Sequence, residues 1–226
     1  MKNKSYIGIS LIILVFGIIF VPRIVNRIKD GTVVKNDRMS EGNNRKIDTT
    51  LQIIRQAPKF ELTNQNNKKI TNQDYAGKVY VLEFFFSTCP SICPIMNKNM
   101  MILEKEFIKD KDFAIASITI NPANDTPEVL KKHAQDLGVT SENWNFLTGE
   151  KEYIYSIANN GFYLGVGENA KANGGFEHSG MFALIDKKGN IRCRKDKNNN
   201  PVLYYDGLVK SGVDAIKEDI KKLLEE

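Results

Sequence analysis

Alanine is absent before Ala57, cysteine before Cys89, and proline between Pro127 and Pro201. The first gap leaves no A-x-A cleavage motif near the N-terminal apolar run. The second leaves no cysteine there to carry a lipid. The third denies proline to every turn and strand entry across that stretch. Histidine is scarce as well: His133 and His178 are the two in 226 residues, beside three cysteines. A site built from thiols and imidazoles must draw on those few positions. A strong charge bias is also lacking. The net charge is +5, with acids and bases interspersed and no basic stripe carrying interleaved aromatics, which argues against nucleic acid as a partner.

The long apolar run is Tyr6–Val21, without a charge, preceded by Lys2 and Lys4 and followed by Pro22, Arg23, Arg27 and Lys29. It falls short of the roughly 20 residues that span a bilayer, although Arg23 can snorkel. It is slightly long for a signal-peptide core. With no cleavage motif beside it, residues 1–25 are expected to be an uncleaved signal anchor, ahead of a cleaved signal peptide. A buried core helix is disfavoured because the run is apolar on all sides. Positive charge flanks both ends, so orientation is not set by charge. An anchor before a large domain most often places that domain outside the cytoplasm, in the periplasm or at the cell surface. Residues 26–56 are polar and poor in aromatics and read as a tether. Residues 57–226 read as the folded domain.

Within that domain, Phe60–Thr63 and Lys69–Ile70 flank an Asn-rich turn and predict a hairpin. Thr71–Asp74 reads as a short capped turn. Val79–Phe86 (VYVLEFFF) is rich in aromatic and branched residues and predicts a strand. Met96, Met100, Leu103 and Phe107 recur at helical spacing within Ile95–Ile108. Phe113–Ile120 alternates as a strand. Asp125-Thr126-Pro127-Glu128 opens a helix that runs to Leu137, with Asp125 as its expected cap. Glu150–Asn159 predicts a further helix, Met181–Asp186 and Asn190–Arg194 a hairpin, and Ser211–Leu224 a closing amphipathic helix. A βαβ unit followed by a hairpin and a last helix is the thioredoxin-like α/β plan.

Cys89-Pro90-Ser91-Ile92-Cys93-Pro94 ends the first central strand and opens a helix. A helix N-terminus favours a thiolate through its free N–H groups and dipole. If the helical turn already begins at Cys89, positions i and i+4 share a face and both sulfurs reach one atom. That atom is the other sulfur or a soft metal ion. A purely structural disulfide is disfavoured, because such bridges rarely join residues four apart at a helix start. His178 precedes the strand Met181–Asp186, which in this plan runs antiparallel to Val79–Phe86. The start of one strand abuts the end of the other, which brings His178 to the cysteines. Two thiolates and one imidazole suit Cu(I), and hold Cu(II) or Zn(II) with an added ligand.

The cysteine-proline stretch, Asn121–Glu128, Trp144 before Asn145-Phe146-Leu147-Thr148-Gly149, and His178 with its strand together resemble the Sco/SenC family, in order, from about Ala57 to Glu226. The resemblance implies an extracytoplasmic, membrane-anchored copper protein with a thioredoxin-like fold. It implies Cys89, Cys93 and His178 as copper ligands, and delivery of copper to the CuA centre in subunit II of cytochrome c oxidase. Outside the cytoplasm, a thiol reductant as a partner, or a metal, is needed to keep the pair from idling as a disulfide. The chain departs from the family pattern at Asn121, where Asp usually precedes the proline, and at Asn124, usually basic. The stretch Cys193–Tyr205 is longer than in many members.

The competing function is a thiol–disulfide oxidoreductase using Cys89 and Cys93 as a redox pair, with Cys89 as the attacking thiol. Thioredoxin-type reductases place a cis-proline just before the strand facing the cysteines. Here His178-Ser179-Gly180 stands at that place, which favours metal over catalysis and a chaperone over an enzyme. A peroxidase ranks last, for want of an arginine beside the thiolate. His133, in Lys131-Lys132-His133, reads as solvated; Cys193 as a hairpin-edge residue without a role; Met96 and Met100 as core.

Overall fold

The computed structural model describes residues 5–29, 50–172 and 174–226. Ser5–Lys29 forms one helix, α1, which belongs to a unit of its own. Among its described side chains, ten apolar ones are exposed, Ile13 and Ile18 most of all. Among the described residues, however, no helix is long and apolar enough to cross a membrane. The apolar run ends at Val21, and the last turns carry Arg23, Arg27 and Lys29. The helix is therefore longer than its apolar part. Most of the expected tether, residues 30–49, lies outside the described residues.

The second unit begins earlier than the composition suggests. Gln52–Gln56 is strand β1, so the tether expected through residue 56 stops short of it. There follow β2 (Glu61–Asn64), β3 (Lys69–Thr71), β4 (Val79–Phe85), α2 (Cys93–Phe107), β5 (Phe113–Thr119), α3 (Pro127–Leu137) and β6 (Trp144–Thr148). Helix α4 (Lys151–Ser156) continues as a π-helical turn over Ile157–Phe162. The chain ends with β7 (Val166–Glu168), β8 (Phe176–His178), β9 (Met181–Ile185), β10 (Asn190–Lys195), β11 (Pro201–Val202), β12 (Tyr205–Asp206) and α5 (Lys210–Glu225). The main sheet runs β1-β10-β9-β4-β5-β6-β2-β3, and β7 pairs with β8 apart from it.

Strands β4, β5 and β6 are parallel neighbours in chain order. Right-handed crossovers then put α2 and α3 on one face of the sheet. Helix α5 joins them through Lys217 and Lys221, which both pair with Glu106 of α2. The opposite face is covered by the π-turn, where Phe162 meets Phe84 edge-on. With both faces covered, β4 and β5 are buried at every residue. That double burial explains why VYVLEFF shows no alternation. Strand β9 runs antiparallel to β4 with Leu82 opposite Ala183, as the thioredoxin-like plan requires.

Three hairpin turns use one device. Asn64, Asp186 and Asp196 each accept backbone N–H groups from two and four residues on. The third residue after each is Asn67, Gly189 or Asn199, all at positive φ, where Asn and Gly are tolerated best. The last of these turns folds the long stretch after Cys193 into the β10–β11 hairpin.

Candidate metal centre

Strand β4 delivers the chain to the site, and a turn reverses it: Cys89 N–H donates to Phe86 O at 3.2 Å. Helix α2 then starts at Cys93, so the condition that the helical turn already begins at Cys89 is not met, and Pro94 follows in its first turn. The N-cap residue Ile92 has no side chain that can cap. The sulfur of Cys89 takes that place by accepting the backbone N–H groups of Cys93 and Ser91. The two sulfurs therefore meet because the loop folds back onto the helix start, rather than by lying one turn apart on a helix.

Strand β8 supplies the third side chain. His178 Nε2 lies 3.2 Å from Cys93 Sγ and 4.0 Å from Cys89 Sγ. The ligand atoms of Cys89, Cys93 and His178 all lie within 4.8 Å of one another. On the far side of the imidazole, Nδ1 faces Ser179 O at 3.2 Å. A proton on Nδ1 leaves the Nε2 lone pair for the sulfurs, the usual arrangement of a metal-binding histidine. Phe86 closes one wall, its ring edge-on to His178 at 5.7 Å. The strand-pairing reasoning thus brings together the three residues it named, though the register rests on β9 and the histidine itself sits on the separate β7–β8 arm.

The environments of the two thiols differ. Burial pushes the Cys89 thiol up, but hydrogen bonds from the N–H groups of Cys93 and Ser91 outweigh it and hold it below the ordinary value. Burial raises the Cys93 thiol far above that value, and the neighbouring Cys89 and Glu83 add to the rise. Burial likewise lowers His178, against its hydrogen bonds to the carbonyls of Ser179 and Phe84, which keeps the imidazole neutral at pH 7. Cys89 is thus the first thiolate of the pair, and it is also the more exposed residue, 7% against 2%.

Asp125 behaves differently from its expected part as a helix cap. Thr126 caps α3, accepting Val129 N–H. Asp125 is fully buried and accepts hydrogen bonds from Ser87 N–H, Ser87 Oγ, Thr119 Oγ1 and Asn124 Nδ2. It fastens the turn before Cys89 to the end of β5. Asn121, where the family pattern has Asp, shapes the same loop through its backbone: its carbonyl accepts N–H from Asn124 and Asp125. Asp125→Ala is expected to lower stability by about 3 kcal/mol, since the buried Thr119 hydroxyl and the half-buried Ser87 hydroxyl and N–H lose their acceptor. Urea unfolding at unchanged m-value measures it; a midpoint equal to that of the parent would refute the clamp.

Two other expectations need correcting. His133 is not solvated. Its ring stacks on Phe85 at 5.5 Å, meets Phe146 edge-on, and sets Nε2 3.5 Å from Asn97 Nδ2. It sits on the sheet-facing side of α3, and burial lowers its pKa. Cys193 is not on a sheet edge. Strand β1 covers β10, with Gln52 opposite Cys193, and the thiol is fully buried. Neither residue joins the cluster. Met96 and Met100 are fully buried, in keeping with a core role. Sequence reasoning passed over Glu83 and Asn97. The only signal for Glu83 was a lone carboxylate inside an apolar run.

A βαβ unit with a following hairpin and closing helix, bearing two cysteines after its first central strand, is a thioredoxin-like domain; here it carries a histidine against the pair. The chain belongs to the SCO1/SenC family, whose model matches residues 49–211. Among solved structures it is similar to a SCO1/SenC family lipoprotein from Bacillus anthracis (31% identity, TM-score 0.65, covering 79% of this chain and 98% of that one). It is similar to BsSco, described as a member of the Sco family of cytochrome c oxidase assembly proteins with a disulfide switch (26%, TM-score 0.65, 78% and 98%). It is also similar to yeast Sco1 with copper bound (25%, TM-score 0.56, 74% and 89%).

Proposed function

We propose that this chain is a copper metallochaperone that delivers copper to the CuA centre of cytochrome c oxidase subunit II. The observation that carries the reading is the convergence of two sulfurs and one imidazole nitrogen within 4.8 Å. The donor set fits the cargo. Two soft thiolates with a neutral imidazole suit Cu(I), and the orienting contact from Nδ1 to Ser179 O is the support such a ligand needs. Yeast Sco1 holds copper, and BsSco is described with oxidase assembly, which supports the same assignment here. Residues 1–25 act as the membrane anchor in this reading, with the domain outside the cytoplasm. The exposed apolar side chains of α1 and the lipoprotein relative support that attachment.

A second reading, thiol–disulfide exchange on the acceptor's own cysteines, has support from the opposed acidities of Cys89 and Cys93. A low-pKa, more exposed thiol beside a high-pKa, buried one suits attack followed by resolution. The two readings share the site, because the disulfide form has no thiolates left for copper.

Copper counted per chain, after purification under reducing conditions, tests the assignment. One Cu(I) per chain is expected in the parent and none that survives a competing chelator in Cys93→Ser. A fully reduced parent that retains no copper would overturn it. Electron transfer from the reduced protein to an oxidised two-cysteine acceptor peptide, without copper transfer to the reduced peptide, would favour the second reading.

A further inference from the structure

We propose that the cleft between α2 and α3 receives an extended, acidic segment of the protein with which the Cys89–Cys93 pair exchanges. The inference rests on the reading that this pair serves a protein partner. The cleft has a volume of about 610 Å³, and Cys89 and Cys93 form part of its lining. Met101, Ile102 and Leu137 give it apolar surface, and Ile102 is left 41% exposed. The sulfurs and this apolar surface are continuous, so a segment lying in the cleft passes the reactive atoms.

Its charge is one-sided. Lys98 and Lys105 line the cleft and make no ion pair among the described residues. The acidic side chain in the lining, Asp136, is already held by Lys132 at 2.8 Å. The free charge facing an incoming chain is therefore positive, which selects carboxylates and speeds their approach.

Asn97 supplies the third observation. It lies one helical turn beyond Cys93, and its Oδ1 is buried without a donor, while Nδ2 faces His133. A buried acceptor left unsatisfied is costly, and such atoms in native proteins commonly meet a partner. A backbone N–H of an extended peptide is a donor of the right kind. The opening on the other side of Cys89 fits the role less well. It is smaller, about 200 Å³, and Glu177 stands in its lining.

The test uses the full-length protein with its Cys89–Cys93 pair oxidised, and two synthetic peptides. Each peptide carries two cysteines, flanked by glutamates in one and by lysines in the other. A peptide thiolate attacks one protein sulfur, and a mixed disulfide forms. The displaced protein thiolate takes up a proton, and the second peptide thiol closes the peptide disulfide and releases the other protein sulfur. Two electrons and two protons pass to the protein. The acidic peptide should react about tenfold faster than the basic one at low ionic strength, with the advantage shrinking as salt is added. Lys98→Glu with Lys105→Glu should reverse the preference. Both substitutions are at exposed positions, and reduction by dithiothreitol and Cu(I) affinity should match the parent. Equal rates for the two peptides, or a preference that survives the charge reversal, would overturn the proposal. A parent that binds no copper but keeps the lysine-dependent preference would instead sink the chaperone reading and leave the cleft assignment standing.

Discussion

His178→Ala should weaken Cu(I) binding by at least ~100-fold while moving the potential of the Cys89–Cys93 couple by less than about 30 mV. Loss of a residue that only supports a ligand typically costs 10–100-fold in metal affinity, so loss of a ligand should cost no less. A hundredfold is about 2.7 kcal/mol, and 30 mV in a two-electron couple is about 1.4 kcal/mol. The asymmetry follows from the geometry. Nε2 approaches both sulfurs, at 3.2 and 4.0 Å, and so belongs to whatever the two thiolates jointly hold. It takes no part in the sulfur–sulfur bond, whose partners come from the loop and the first residue of α2. Competition with a chromogenic Cu(I) chelator reads the affinity, and equilibration with glutathione buffers reads the potential. Unchanged affinity would remove His178 from the site. A large shift of potential with unchanged affinity would assign it to the redox couple.

The site was legible because its parts are chemically rare and the plan that joins them is regular. Two cysteines after a run such as VYVLEFFF mark the end of a buried strand, and antiparallel pairing of β9 with β4 carries His178 toward it. What escaped was tertiary. Strand β6, WNFLT, is five residues long, and a short apolar run does not declare its state by periodicity. Strand β1 carries exposed Ile53 and Ile54 among polar residues, so its composition matches a tether; only its pairing with β10 makes it part of the sheet. The same pairing buries Cys193, which the local sequence places at an edge. His133 sits between two lysines and a charged turn, yet the ring faces inward onto Phe85 and Phe146. Asp125 has the signature of a cap, but Thr126 beside it has the geometry, and this frees Asp125 to hold Ser87 and Thr119. In each case a local signal was present and a contact from a distant element decided the outcome.

Glu83→Gln should stabilise the protein at pH 8 by on the order of 2 kcal/mol and destabilise it at pH 4 by on the order of 1 kcal/mol. Glu83 lies fully buried on β4. Oε1 accepts from Ser117 Oγ at 2.7 Å, and Ser117 Oγ in turn accepts from Trp144 Nε1, while Oε2 has no partner. Burial raises its carboxyl from 4.5 to about 7, with the Ser117 hydrogen bond opposing. Between those two values the unfolded chain gives up the proton and the folded chain keeps it. Stability therefore falls as pH rises from about 4.5 to about 7, by a total on the order of 3 kcal/mol, and then levels off. Glutamine keeps the acceptor for Ser117 and never ionises, which removes the fall; part of the gain is lost because its amide protons meet no acceptor. Asp219 works in the opposite direction. Burial pushes it up, but Arg194, Lys222 and Tyr205 outweigh that and hold it low, so the stability it contributes disappears as the pH drops below about 4. Denaturant titrations of the parent and Glu83→Gln from about pH 2 to about pH 8 separate the two groups, since only the upper limb should flatten in the variant. A difference between the proteins that does not vary with pH would show that Glu83 ionises outside this window. The charge lies beside the site as well as inside the core: ionised Glu83 raises the Cys93 thiol further. A buried carboxylate that costs stability and opposes the second thiolate of the pair is the pattern expected where a sequence departs from its best packing for the sake of its chemistry.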